Sequence, residues 1–418
     1  MKRFFLSVFV IYFSIYCTAQ SIKVQDSKDK RIIDLDQASY PDTSFLHSTL
    51  YKSVKIIPLE TKKSCLIGAI DQIQVVDNYI LIMDAVIANS LYVFDREGHF
   101  IRKIGGVGQG PGEYVSIFDF TIDRENKTVY ILDGRWPRIL KYDLATGKFI
   151  QKIEFERNES GAHMNRFVHI GGNLYATATF YDHSPDNFLL YTLDESSGKE
   201  KNNFLNVMEY NKGYSDVSGN NTPDRPFYSR DNGDAIFVRP MMNEIIEITK
   251  DGVFSLFELK GKNLLASSDA KKLCDSYNIQ YVIKNRGNPD RLSFLQINKY
   301  THFISYVEKG AWILIDRGIG MSIHEIVINK KTNEVCVYKG GSDDLLYSVH
   351  ERSSSFVFGC TDSNGVYKHT STSRSNGVSD LQDYLKKGAL SPDVIGLEKI
   401  KDLKDDDNPI LIYYEFKE

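Results

Sequence analysis

The sequence predicts an all-β chain folded as one six-bladed β-propeller. Four-stranded antiparallel blades form it, an N-terminal strand closes the ring, and two partly helical insertions interrupt it. Three observations predict this. A unit of about 49 residues repeats, each unit reads as four short β-rich runs, and one strand near the N-terminus has no partner of its own. Composition agrees. The 418 residues are 42% hydrophobic and 12% aromatic with only five cysteines, which suits a β-rich core held by packing. The formal net charge of −4 lacks the basic footprint of a nucleic-acid binder or of a protein gripping an anionic membrane.

The repeat is clearest between two early units. Tyr79–Asp84 (YILIMD) aligns with Thr128–Asp133 (TVYILD) at an offset of 49. Leu91–Asp95 aligns with Ile139–Asp143 at 48, and Gly98–Ile104 with Gly147–Ile153 at 49. Lengths drift where loops are free to change and hold where strands are not. In the second unit the four runs are Ile117–Ile122, Thr128–Asp133, Arg138–Leu144 and Lys148–Phe155, with Asp-, Asn- and Gly-bearing turns between them. Later units are fainter. Gly172–Thr179 and Asn187–Asp194 belong to a third, and Asp234–Arg239, Asn243–Thr249 and Gly252–Leu259 to a fourth. Ala311–Asp316, His324–Asn329 and Glu334–Lys339 belong to a fifth, and Ser355–Cys360, Gly365–His369 and Pro409–Phe416 to a sixth.

The sixth unit lacks an outer strand, and Ser53–Glu60 (SVKIIPLE) is a strand with no unit. Joining the two closes the ring and removes an open sheet edge. Pro58 suits an outermost strand, where a missing N–H breaks no ladder bond.

The termini and insertions follow. Lys2 and Arg3, the apolar run Phe4–Tyr16 and the small residues before Gln20 have the layout of a signal peptide over residues 1–19, so the chain is expected to be exported. The rival reading is a lipid anchor on Cys17, which the bulky Tyr16 before it disfavours. No other run is long enough for a transmembrane segment. Residues 20–51 are polar and are expected to wind over the surface or stay mobile, and 52–418 form the propeller. Insertions at about 261–292 and 370–407 break the period, with short helices expected at Ser267–Tyr277 and Ser379–Lys387. Cys65, Cys274, Cys336 and Cys360 are widely spread, with no CxxC pair, and read as buried free thiols.

One string is specific. Gly105–Tyr114 (GGVGQGPGEY), taken with Val129–Asp133, Arg138–Tyr142 and Asn408–Leu411, resembles the secreted six-bladed β-propeller family of Bacteroidetes, itself similar to NHL-repeat propellers. The resemblance spans Tyr51 to Glu418. It implies the fold and export and carries no activity. The glycines do not form a phosphate loop, because a strand rather than a helix follows and Pro111 interrupts the run.

No catalytic motif, metal-ligand spacing or cofactor signature is present. Candidate ligand-binding residues come from geometry. Second strands of propeller blades end in a ring around the channel, and their ends here carry Asp84, Asp133, Arg135, Trp136, Tyr181, His183, Arg239, Asp316, Arg317 and His369. Arginine forks and aromatic faces there suit hydroxyls, carboxylates and sugar rings. The alternative for Asp84 and Asp133 is loop capping through backbone N–H groups, and for Arg138 an ion pair with Asp133. The leading expectation is a non-catalytic binding or scaffold propeller for a glycan, a peptide or a partner protein. The alternative is an extracellular saccharide lyase or hydrolase using acidic and His residues of the ring.

Overall fold

A computed structural model describes residues 20–155, 163–179, 187–210, 226–230, 232–239, 242–262, 264, 303–319, 322–348, 360–370, 378–404 and 406–417. Six antiparallel sheets surround one axis, each with its first strand innermost. Blade one is Gln72–Val76, Tyr79–Asp84, Ser90–Asp95 and Phe100–Ile104; blade two is Ile117–Asp123, Thr128–Asp133, Arg138–Asp143 and Phe149–Glu154. Blade three is His163–Ile170, Asn173–Thr179, Phe188–Leu193 and Glu200–Asn206; blade four is Phe227–Ser229, Ala235–Phe237, Glu244–Thr249 and Gly252–Lys260. Blade five is Phe303–Lys309, Trp312–Ile319, Ser322–Asn329 and Glu334–Tyr338. Blade six joins Cys360–Thr361, Gly365–His369 and Ile410–Phe416 to the N-terminal strand Tyr51–Pro58.

The closing strand sits where the sequence placed it. Ile412 pairs with Ile56 and Ile410 with Pro58, antiparallel, at the outer edge of blade six. Val54, Ile56 and Ile57 are 2%, 0% and 2% exposed. Burial on that scale is worth about 1.5–3 kcal/mol per side chain, so the ring is held shut mainly by apolar packing.

The N-terminal extension does more than cross the surface. Gln20–Ser21 pairs in parallel with the outer strand of blade three, and Gln25–Asp34 with that of blade four. Phe45–Leu46 then pairs with Gly341–Ser342 beside blade five. The segment is a belt that visits blades three, four, five and six in order and gives two of them a fifth strand. It covers exposed sheet edges, the feature most prone to mispairing. The insertion before the last strand contains a helix at Val378–Lys386, one residue from its expected place, with Val378 and Leu381 packed on the layer between blades five and six. The helix expected at Ser267–Tyr277 lies outside the described residues. Cys65 and Cys336 are free thiols.

Between blades five and six the apolar layer holds a polar island. His47 Nδ1 stands 3.5 Å from Asp343, whose second oxygen accepts from Tyr414 Oη at 2.5 Å. Lys368 Nζ lies 4.9 Å from the Tyr414 ring centre, and Glu325 pairs across the strands with Asp316. His47 and Asp343 are 0% and 1% exposed. The island joins the belt, the blade five to six connection and blade six at the closing joint.

Candidate functional site

Sheet edges make the channel. The innermost strand of each blade has one free backbone edge, which needs hydrogen-bond partners. Neighbouring blades supply some of them. Gln72 and Gln74 donate their side-chain amides to Phe120 O at 3.1 and 2.8 Å. Asp119 Oδ2 accepts from Phe167 N at 2.9 Å, and Thr121 Oγ1 from His169 N at 3.2 Å. Polar residues at alternate positions of the first strands thus tie blade one to two and blade two to three while facing the axis.

These strands enclose a cavity of about 420 Å³ to which all six blades contribute. That volume lies in the range of about 300–1,000 Å³ of small-molecule sites. It includes the hairpin turns between first and second strands, at Asp123–Glu125, Ile170–Gly172 and Asn232–Asp234. Gly172 and Gly233 hold positive φ in those turns, and among the described residues, chain neighbours aside, neither has an atom within 4 Å of where a Cβ would stand. The wall mixes charges. Arg166 is half-buried, donates to Asn165 O at 2.6 Å and lies 5.1 Å over the Phe118 ring. Arg124 and Glu125 are exposed at the turns, and Tyr228 adds an aromatic face. Burial pushes the Asp234 carboxyl above its usual range.

Among the described residues one histidine touches this wall. His169 is stacked on Tyr130 with ring centres 5.3 Å apart, and its Nε2 lies 3.6 Å from Asp123 and 3.8 Å from Glu195. Burial lowers its pKa against the pull of both carboxylates. Burial alone would raise Asp123, but hydrogen bonds from Asn126 hold it below its ordinary value. Those separations exceed hydrogen-bond reach, and each carboxylate has other donors. Among the described residues no group of three or more His, Cys, Asp or Glu is placed to hold a metal ion.

The ring read from second-strand ends is distributed differently. Asp84 is fully buried, and its two oxygens accept from four backbone N–H groups: Gly68 at 2.6 Å, Ala69 at 3.1 Å, and Ile87 and Ala88 at 2.9 Å. Asp133 accepts from Arg135 N at 2.9 Å, Trp136 N at 3.4 Å and Val115 N at 3.1 Å. Arg138 adds Nε at 3.1 Å and Nη2 at 2.9 Å. Both aspartates therefore fasten loops, with their lone pairs engaged by fixed donors. Arg135 is exposed and Trp136 is 51% exposed on the same rim. Arg239 is half-buried and donates its backbone N to Met242 Sδ at 3.3 Å.

Asp316 does not end its strand. The second strand of blade five runs on to Ile319, so Asp316 lies inside it, buried opposite Glu325 and turned toward blade six with Leu314. Arg317 follows it in that strand, opposite His324. His369 does end its strand, but alternation puts it on the blade-one side with Tyr367, where its Nδ1 lies 3.1 Å from Thr370 O. Tyr181 and His183 lie outside the described residues. The glycine string is an inter-blade turn, with Tyr114 N bonded to Gly106 O at 3.0 Å and Gly108 N to Tyr114 O at 2.9 Å. Sequence reasoning missed the first-strand residues, although the alternation Asp119-x-Thr121-x-Asp123 signalled one shared face.

Comparisons with known proteins place this architecture. The family described as domain of unknown function DUF4934 matches residues 30–415. No curated protein matches the chain. A solved protein of Bacteroides fragilis, described as exported, is 19% identical with a TM-score of 0.65, over 93% of this chain and 100% of its own. A DUF4221 family member from Bacteroides vulgatus is 11% identical with a TM-score of 0.46, over 88% of this chain and 97% of its own. Virginiamycin B lyase from Staphylococcus aureus is 12% identical with a TM-score of 0.36, over 69% and 74%. The first likeness concerns the fold alone, and the other two carry no argument.

Proposed function

This chain belongs to the DUF4934 family, and we propose that it is an exported, non-catalytic binding module that takes a small polar ligand into its central channel. The observation that carries this reading is the cavity of about 420 Å³, walled by amides, hydroxyls, both charge signs and an aromatic ring from six blades. A saccharide or a peptide end matches that wall, since few convergent polar groups on a rigid frame fix orientation. Export is supported by the Lys2-Arg3 and Phe4–Tyr16 layout. No helix among the described residues is long and apolar enough to cross a membrane.

The binding reading is favoured over lyase or hydrolase chemistry by the state of the acids. Asp84 and Asp133 are saturated by fixed donors, which removes both from the set of acids and bases the ring could offer a substrate. A thermal-shift screen of residues 20–418 against saccharides, peptidoglycan fragments, peptides and chelator-controlled divalent metals tests the reading. A channel ligand at about 100 times its Kd adds about 2.7 kcal/mol of stability, and Arg166→Ala is expected to abolish the shift. No shift from any compound, or a shift indifferent to Arg166→Ala and Tyr228→Ala, contradicts it.

A further inference from the structure

Blade five carries a second cavity on the face it turns toward blade six. Three cross-strand rows build that face. Trp312 lies opposite Asn329 and Asn329 opposite Glu334; Leu314, Val327 and Cys336 form the next row; Asp316, Glu325 and Tyr338 the third. Blade six packs on the middle of this face through Leu314 and Val327. The belt covers part of its outer strand. Ser39 is bonded on both sides, with its N donating to Val335 O at 2.9 Å and its O accepting from Val337 N at 2.8 Å. The next such bond is Phe45 N to Gly340 O at 3.1 Å. Beneath Thr43–Leu46 a groove of about 660 Å³ opens between the belt and the blade, and it shares no lining residue with the channel.

The chemistry of this groove is distinctive. Trp312 and Tyr338 are both half-buried, so each packs on one side and leaves surface on the other. Tyr338 is fixed against Phe45, with ring centres 5.5 Å apart. Around the aromatics stand hydroxyls such as Thr43 and Thr49, the Asn329 amide and the exposed Glu334 carboxylate, and among the described residues no Lys, Arg or His. Asn329 uses its carbonyl oxygen on Lys331 N at 2.9 Å and Thr332 N at 3.3 Å, which turns its NH₂ to donation.

We propose that this groove is a binding site for a short neutral saccharide, stacked on Trp312, with ring hydroxyls held by Asn329 and Glu334. An aromatic face matches the apolar C–H face of a hexose, while an amide donor and a carboxylate acceptor match its hydroxyls. The charge pattern favours a neutral ligand over an anionic one, since among the described residues the wall holds one carboxylate and no Lys, Arg or His. An added peptide strand fits less well, because the belt already occupies the outer strand of blade five on both sides of the groove. This inference stands apart from the channel reading.

The chain has two tryptophans, Trp136 and Trp312, so Trp136→Phe leaves Trp312 as the sole indole reporter. That variant is titrated with maltotriose, cellotriose, mannotriose and chitotriose, and with acetyl-tetraalanine amide as the peptide probe. The expected result is a saturable change in Trp312 emission with at least one saccharide. Glu334→Gln, an exposed and conservative change, and Asn329→Leu each weaken it about tenfold or more, while the channel variant Arg166→Ala leaves it unchanged. Emission unchanged by all four saccharides up to about 10 mM, where even a millimolar site is mostly filled, overturns the proposal. So does a response to the peptide alone, or a saccharide response that survives Glu334→Gln and Asn329→Leu.

Discussion

Asp133→Ala is expected to lower stability by about 3–5 kcal/mol, the range for breaking a buried ion pair from one side. The substitution orphans three backbone N–H groups in two loops and leaves the Arg138 guanidinium without its carboxylate. Each stranded donor adds a desolvation penalty of about 1–3 kcal/mol that partial rearrangement offsets. Arg138→Leu in the same chain is expected to recover part of the loss, because no uncompensated charge then remains. Asp84→Ala removes the acceptor for four N–H groups and belongs to the same class of loss. Urea unfolding of the single and double variants measures this. If Asp133 were instead a ligand contact with little structural role, the midpoint would barely move and affinity alone would fall.

The closing joint makes stability depend on pH through His47. Burial holds this imidazole down to about 4, against the raising pull of Asp343, while the unfolded chain titrates near 6.5. Between pH 6.5 and 4 the unfolded state therefore binds a proton that the folded state does not, and stability falls by roughly 3 kcal/mol. The groups around it titrate in other windows or in the opposite sense. Burial would raise Asp343, but His47 and Lys368 nearby hold it at about 2, so its contribution is lost only below about 3.8. Glu325 is pushed well up by burial and by Asp316, so it gains stability as the pH falls. Burial lowers Lys368 to about 8, and its effect is a rise in stability between pH 8 and 10.5. Tyr51 and Tyr414 flank the imidazole, with ring centres 6.2 and 6.1 Å from it, and the Asp344 carboxylate adds a further raising pull. The His47 share is read as a difference. Wild type is expected to lose roughly 3 kcal/mol more than His47→Gln between pH 6.5 and 4. Parallel curves for the two proteins across that window would remove His47 from the account.

How far the sequence could be read follows from the same physics. Strand positions that must pack on two neighbouring blades tolerate little change, so Tyr79–Asp84 and Thr128–Asp133 keep a visible likeness. The closing strand was legible because Val54, Ile56 and Ile57 needed a core and had no unit of their own. The belt strand Gln25–Asp34 was not, since it lies on the rim with mostly exposed side chains and gains its order from backbone pairing, which leaves no periodicity. In blade five the run Ala311–Asp316 stops short of the strand, which continues to Ile319 and pairs there with Ser322, so Asp316 lies inside it rather than at the rim. Asp84 and Asp133 illustrate a deeper limit. A carboxylate at a strand end has the same letter whether its lone pairs face a ligand or backbone N–H groups, and backbone donors have no signature in sequence. Asn89 and Asn408 show the converse. Both precede a third strand, and both tie the chain leading into the next blade, Asn89 at Val115 and Ile117 and Asn408 at Glu60, Cys65 and Ile67.

Which rim of the channel receives the ligand is decided by one titration. Affinity for the compound found by thermal shift is measured by calorimetry for wild type, Glu125→Trp and Trp136→Ala. Glu125 is exposed at a first-strand turn of the cavity, and its turn bond to Asp123 comes from its backbone N–H, so the fold tolerates the larger side chain. Trp136 lies on the opposite rim, beyond the second strand of its blade. Glu125→Trp is expected to weaken binding at least tenfold, a loss of about 1.4 kcal/mol or more, with Trp136→Ala unchanged. Binding lost in Trp136→Ala and retained in Glu125→Trp would contradict this expectation and move the ligand to the rim where the second strands end.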